Sequence, residues 1–252
     1  MKLDNKPRLR SALRKLYAAK IDWSDSYVRG TAGQEAIDFI AMMAGLKPVY
    51  VSGRGFEHEG WHAAVLELAA SNGLYVVAGP YWEAGREPSD LPDWFVEKVR
   101  KAVDEGRAHY VTKARAAADE IKALADGGRP TIEQEARLLG FPVCCVEAHY
   151  ASAAAFESAA FEILSRRAGG DETEMKRLAE GPEPVVPESD EERALLAMAV
   201  SVRPVRHTSL NMCEKCAADP ESPAAKLSAA YGTLVDTLTG NRRRDPARRR
   251  RG

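Results

Sequence analysis

The chain has only four cysteines, and they fall as two close pairs. Cys144 and Cys145 are adjacent in Leu139-Gly-Phe-Pro-Val-Cys-Cys-Val-Glu-Ala-His149. Cys213 and Cys216 form a Cys-x-x-Cys step, six residues after His207. If the pairs share one site, any fold must bring two segments about seventy residues apart face to face. No other feature of the sequence constrains the fold so strongly.

The chemistry of the pairs depends on the compartment. The opening Met1-Lys-Leu-Asp-Asn-Lys-Pro-Arg lacks the apolar stretch of a signal peptide. No apolar run approaches the ~20 residues of a membrane span. A cytoplasmic protein without membrane association is the expectation. Thiols there stay reduced, so paired cysteines point to metal binding or redox chemistry rather than to structural disulfides. Cys213-Glu-Lys-Cys216 has the spacing at which a short turn presents two sulfurs to one ion. Pro142 is placed to open a helix, with Cys144 and Cys145 in its first turn, where the helix dipole favours thiolate. Adjacent helical residues diverge by about 100°, so both sulfurs need not reach one ion. His149, four residues after Cys145, and His207 are further candidate ligands. Four sulfurs suit either Zn²⁺ or an iron–sulfur cluster. A redox dithiol at Cys213 and Cys216 is the alternative. It calls for a strand running into a helix at that point, which the flanking residues do not suggest.

The stretch Gly140-Phe-Pro-Val-Cys-Cys, with a later His207 and close cysteine pair leading into Ser222-Pro-Ala, resembles the uncharacterised prokaryotic family called domain of unknown function 483. The family pattern is Gly-Phe/Tyr-Pro-x-Cys-Cys followed by His-x-Pro-Cys-x-x-x-Cys. Gly140, Phe141, Pro142, Cys144 and Cys145 match its first part. The second part departs: His207 lies further from Cys213, no proline precedes Cys213, and two residues rather than three separate Cys213 from Cys216. The resemblance covers the C-terminal half and implies that the two cysteine pairs belong together. It implies no activity.

A rival metal motif lies in the first third. His58-Glu59-Gly60-Trp61-His62 matches the His-Glu-x-x-His pattern of zinc hydrolases, in which two histidines on one helix face hold zinc and Glu59 serves as general base. Glu83 is the downstream carboxylate that could complete it. The bland alternative is a solvated helix start with Trp61 and Val65 packed inward. Ser52-Gly-Arg-Gly55 reads as an ordinary glycine-rich connection, with Arg54 a candidate anion contact.

The remaining pattern predicts a helix-dominated α+β chain. Helices are expected over 8–20, 31–44 with Thr31 as a cap, 57–71, 93–105, 109–125, 131–139, 142–167, 191–200 and 223–238. Strands are expected over 48–52 and 74–78, forming a small βαβ element of two parallel strands. Residues 204–209 read as extended. Gly127-Gly128-Arg129-Pro130 marks a boundary between a mixed α/β part, residues 1–128, and a helical part carrying both cysteine pairs, residues 129–240. Residues 241–252 read as a disordered tail. Its seven arginines between Arg242 and Arg251, against Asp245 alone, leave the tail at +6 and the rest of the chain at −7. Arginine forks suit phosphates, so a nucleic-acid-associated accessory protein is a third functional reading, opposed by the acidic body.

Overall fold

The computed structural model describes residues 5–52, 59–81, 90–104, 107–181 and 185–240, the side chains of 100–104 and 107 excepted. The arginine tail, His58, Glu83 and Arg54 lie outside the described residues.

The architecture is helix-dominated α+β. Helices α1 (Lys6–Tyr17) and α2 (Ser26–Ala44) lead into strand β1 (Val49–Ser52), helix α3 (Glu59–Ser71), strand β2 (Tyr75–Pro80), helix α4 (Asp93–Asp104) and strand β3 (Arg107–Thr112). Helices α5 (Arg115–Ala125), α6 (Ile132–Leu139), α7 (Val143–Arg167), α8 (Glu172–Leu178) and α9 (Asp190–Ala199) follow. A hairpin of β4 (Val202–Pro204) and β5 (Asn211–Cys213), then α10 (Glu214–Ala218) and α11 (Pro223–Thr239), complete the described chain.

The three-stranded sheet has the order β1-β3-β2, with β3 antiparallel to both neighbours. β1 and β2 therefore run parallel, as the expected βαβ element requires, but they do not pair. β3 lies between them and takes the hydrogen bonds that each would have offered the other. Residues 109–112 were expected to be helical. They are strand because His109-Tyr-Val-Thr112 is aromatic and β-branched, and it completes a sheet between two waiting edges. The alanine-rich stretch that follows is helical only from Arg115.

Period-two alternation divides the sheet residues between two cores. Tyr50 and Val111 point to one face and pack with Phe39 and Ile40 of α2, Trp61 and Val65 of α3, and Tyr231 and Leu234 of α11. Val49, Ala108 and Tyr110 point to the other and pack with Ile121 of α5 and Leu138 of α6. A further cluster gathers Phe95 with Ile163 and Leu164 of α7, Met175 of α8 and Leu196 of α9.

Local chemistry sets the helix ends near the future site. α2 begins five residues before the expected Thr31, because the Asp25 carboxylate accepts from the backbone N–H of Tyr27 at 2.7 Å and of Val28 at 3.0 Å. Thr131 caps α6, in a reciprocal capping box with Gln134. Gly140 ends α6 at φ 74°, and a Cβ there would lie 2.8 Å from Pro48 Cδ. Only glycine lets the corner between α6 and α7 turn so close to the start of β1. No single helix is long and apolar enough to cross a membrane.

Candidate metal centre

Pro142 is the N-cap of α7 rather than its first residue, so Cys144 and Cys145 are the second and third helical positions. Side chains in a first turn lean toward the helix N-terminus, which aims both sulfurs off the helix end despite their angular separation. The facing wall is the β4–β5 hairpin and α10. β5 ends at Cys213, which also caps α10, and Cys216 lies in the single turn that follows.

The four sulfurs converge. Cys144 Sγ lies 3.5 Å from Cys216 Sγ and 3.9 Å from Cys213 Sγ, and Cys145 Sγ lies 3.8 Å from Cys213 Sγ. Every pair is within 4.8 Å. None of the four is in a disulfide. Cys145, Cys213 and Cys216 are buried and Cys144 is half-buried, within a shell of Val205, Leu210 and Ala224. Backbone amides point at the sulfurs: Cys213 N–H donates to Cys145 Sγ and Cys216 N–H to Cys213 Sγ.

The electrostatics are those of thiols crowded together. Burial pushes the Cys144 thiol up to about 11 and raises Cys145 further, with the neighbouring cysteines adding to the effect at both. Cys213 is the exception. Burial raises it too, but the hydrogen bonds from the Cys216 amide and from the three other thiols outweigh burial and hold it below the ordinary thiol range. Cys213 is thus the easier to ionise, while Cys144 and Cys145 resist ionising beside it. A cation at the centre of the group removes that resistance, and four convergent sulfurs are the donor set that soft and borderline metals prefer. Among the described residues this is the one group of three or more His, Cys, Asp or Glu side chains with metal-binding spacing.

The structure does not bring either histidine candidate into that group. His149 turns Nδ1 toward Asn211 Nδ2 at 3.2 Å. His207 sits in the β4–β5 connection at φ 70°, with its pKa lowered by burial and by the Arg206 charge. The connection is pinned instead to α2. Gln34 Nε2 donates to the Thr208 carbonyl, and Ser209 donates through N–H and hydroxyl to Asp38 Oδ2. The strand-to-helix setting that the redox reading calls for is present at Cys213, contrary to expectation. The strand belongs to a two-stranded hairpin, however, and the helix is five residues long.

In the rival motif, Trp61 and Val65 are buried in the core, Glu59 is exposed at the start of α3, and His62 Nδ1 lies 3.2 Å from Ser52 Oγ. The His62 ring also lies 5.5 Å from that of His109. Gly60 has a packing reason to be glycine: a Cβ there would lie 2.2 Å from the Lys20 carbonyl oxygen, where α3 meets the α1–α2 connection.

Several polar residues beside the centre went unread in the sequence. Asp38 and Lys47 form an ion pair at 3.6 Å with side chains 6% and 2% exposed. Asp38 also accepts from Tyr231 of α11 at 2.9 Å. Glu35 accepts from the Tyr50 hydroxyl, and Glu135 from Tyr150 at 2.6 Å. For Asp38 a signal existed: it is a carboxylate inside the apolar run Ala36-Ile-Asp-Phe-Ile40, which calls for a buried partner.

Compared with protein-family models, curated proteins and solved structures, the chain gives no match.

Proposed function

We propose that this is a metal-binding protein in which Cys144, Cys145, Cys213 and Cys216 hold a single Zn²⁺ ion. The observation that carries the reading is the sulfur spacing. Four Zn–S bonds of ~2.3 Å in a tetrahedron give S···S edges of about 3.8 Å. Three of the six pairs measure 3.5, 3.8 and 3.9 Å, and the others lie within 4.8 Å. An iron–sulfur cluster is the second reading, favoured by the same donor set, but it spreads the thiolates over more than one iron and needs wider spacing.

Four sulfurs fill a tetrahedron, so the ion's role is structural. It ties the start of α7 to the β5–α10 turn, two segments that also share a small apolar shell and the contact between His149 and Asn211. The amides that donate to Cys145 and Cys213 would offset part of the charge left when four thiolates meet one dication. The resemblance to domain of unknown function 483 supports the same reading, because it too groups the two pairs.

Anaerobic purification followed by metal analysis and an absorption spectrum tests this. The expected result is one zinc per chain, no visible chromophore, and loss of zinc with loss of folded protein in Cys213→Ser. A brown protein containing several irons per chain would replace zinc by a cluster. Metal-free folded protein would end both readings.

A further inference from the structure

Three of the four cysteines are sealed in and one is not. Cys145, Cys213 and Cys216 are 1%, 7% and 4% exposed, whereas Cys144 is half-buried. Cys144 is the second residue of α7, next to Val143, which is 38% exposed, so the centre meets solvent at this corner of the helix. An oxidant arriving from solution reaches Cys144 before the other three, and exposure is one of the two properties that set which thiolate is oxidised.

The backbone decides which sulfur Cys144 can join. Cys145 follows it on the same helical turn, and consecutive helical side chains diverge by about 100°, so a bond between them takes the first turn of α7 apart. Cys216 comes from the opposite segment, α10. Its Sγ lies 3.5 Å from Cys144 Sγ, against 3.9 Å for Cys213 Sγ. A shift of about 1.5 Å closes the 3.5 Å gap to bonding distance. The resulting bond runs from α7 to α10, between residues 72 apart in sequence, and joins the same two segments that the proposed zinc ion ties. A covalent link over so long a loop holds them together without the metal.

We propose that Cys144 is an oxidation site for hydroperoxides and Cys216 the thiol that resolves it, so that oxidation exchanges the bound zinc for a Cys144–Cys216 disulfide while the fold is kept. The inference rests on the zinc reading above. The Cys144 thiolate attacks the terminal oxygen of the hydroperoxide. The O–O bond breaks, the sulfur gives up two electrons and becomes a sulfenic acid, and the departing alkoxide takes a proton. The Cys216 thiolate then attacks that sulfur. The S–S bond forms, the S–O bond breaks, and hydroxide leaves to be protonated to water. Two thiolates, one hydroperoxide and two protons thus give one disulfide, one alcohol (a second water from hydrogen peroxide) and one water. Cys145 and Cys213 alone remain as thiolates, and two sulfurs do not complete the tetrahedron that zinc takes.

The test treats the full-length, zinc-loaded protein with one equivalent of hydrogen peroxide beside a chromophoric zinc chelator, blocks free thiols with N-ethylmaleimide and maps tryptic peptides by mass. Trypsin cuts after Lys215, so Cys213 and Cys216 fall on different peptides, and fragmentation separates Cys144 from Cys145. The expected first linkage is Cys144–Cys216, with one zinc released per disulfide and the circular dichroism of the folded protein retained. Cys216→Ser should leave a dimedone-reactive sulfenic acid at Cys144 instead of a disulfide. A first disulfide between any other two cysteines, zinc retained under excess peroxide, or unfolding that keeps pace with zinc loss overturns the proposal and leaves the zinc reading standing. Protein without zinc before the oxidant is added overturns that reading, and this exchange with it. The peptide map and the zinc readout need only the wild-type chain, so they decide the matter even if Cys216→Ser does not fold.

Discussion

The Asp38 carboxylate and the Lys47 ammonium meet at 3.6 Å in a place almost closed to water, with side chains 6% and 2% exposed. Around them Asp38 collects Ser209 from the β4–β5 connection and Tyr231 from α11. Lys47 also lies 5.1 Å from the centre of the Phe141 ring, two residues before the helix that carries Cys144. One buried pair thus joins α2, α11 and the hairpin that presents Cys213.

Removing one charge of this pair should cost far more than removing both. Asp38→Ala leaves a buried ammonium and three donors without their acceptor, and should destabilise the fold by about 3–5 kcal/mol. Lys47→Met combined with Asp38→Asn removes both charges and should recover much of that loss. Urea denaturation of the two single variants and the double variant gives the coupling. Additive losses would mean that the pair is not one unit.

Glu35 should make the protein less stable as pH rises. Its carboxyl is pushed up by burial to about 8 from 4.5, partly opposed by the Tyr50 hydrogen bond and the nearby Lys47. Between these values the folded state holds a proton that the unfolded chain releases. Stability therefore falls with rising pH across that window, by on the order of 2–4 kcal/mol in total. Glu35→Gln cannot ionise and should flatten the slope. Denaturation midpoints for both proteins at several pH values check this, and equal slopes would contradict it.

Two glycines on helices should respond oppositely to alanine. Gly60 faces the Lys20 carbonyl at 2.2 Å from an added Cβ, so Gly60→Ala must push α3 away from the α1–α2 connection and should cost at least ~1–3 kcal/mol. Gly30, within α2, has nothing within 4 Å, and Gly30→Ala should stabilise by ~1 kcal/mol. Thermal melts of both variants suffice. A neutral Gly60→Ala would mean that the close approach is not maintained.

Metal affinity should fall steeply as pH falls. The Cys144 thiol sits near 11 and Cys145 is raised further, so both carry protons at pH 7 that an arriving ion must expel. Release of at least these two protons makes affinity drop at least about 100-fold for each unit of pH lost. Competition with a chromophoric chelator at two pH values measures the slope. An affinity independent of pH would contradict the sulfur ligation.

Much of the helical layout was legible because helix signals are local. The helix expected over 131–139 is α6, bounded in the structure by Thr131 and Gly140. The strand β3 was not legible. Its identity depends on two other strands meeting at its edges, which no window around His109 contains, and the alanines after Arg115 argue for helix. At the candidate site, the four cysteines were legible as a set by their scarcity and pairing. The positions of His149 and His207 were not, since each is settled by contacts with distant segments. The carboxyls beside the site were hidden for a related reason: Glu35 and Glu135 lie on helices among many exposed glutamates, and only tertiary packing sets each beside its tyrosine.

The most direct test of the account is zinc K-edge X-ray absorption on the purified full-length protein. Four sulfur scatterers at ~2.3 Å and no nitrogen or oxygen in the first shell are predicted, with one sulfur lost or replaced by a lighter atom in any variant of Cys144, Cys145, Cys213 or Cys216 that still holds zinc. A first shell of nitrogen and oxygen, undisturbed when those cysteines are changed to serine, would contradict it.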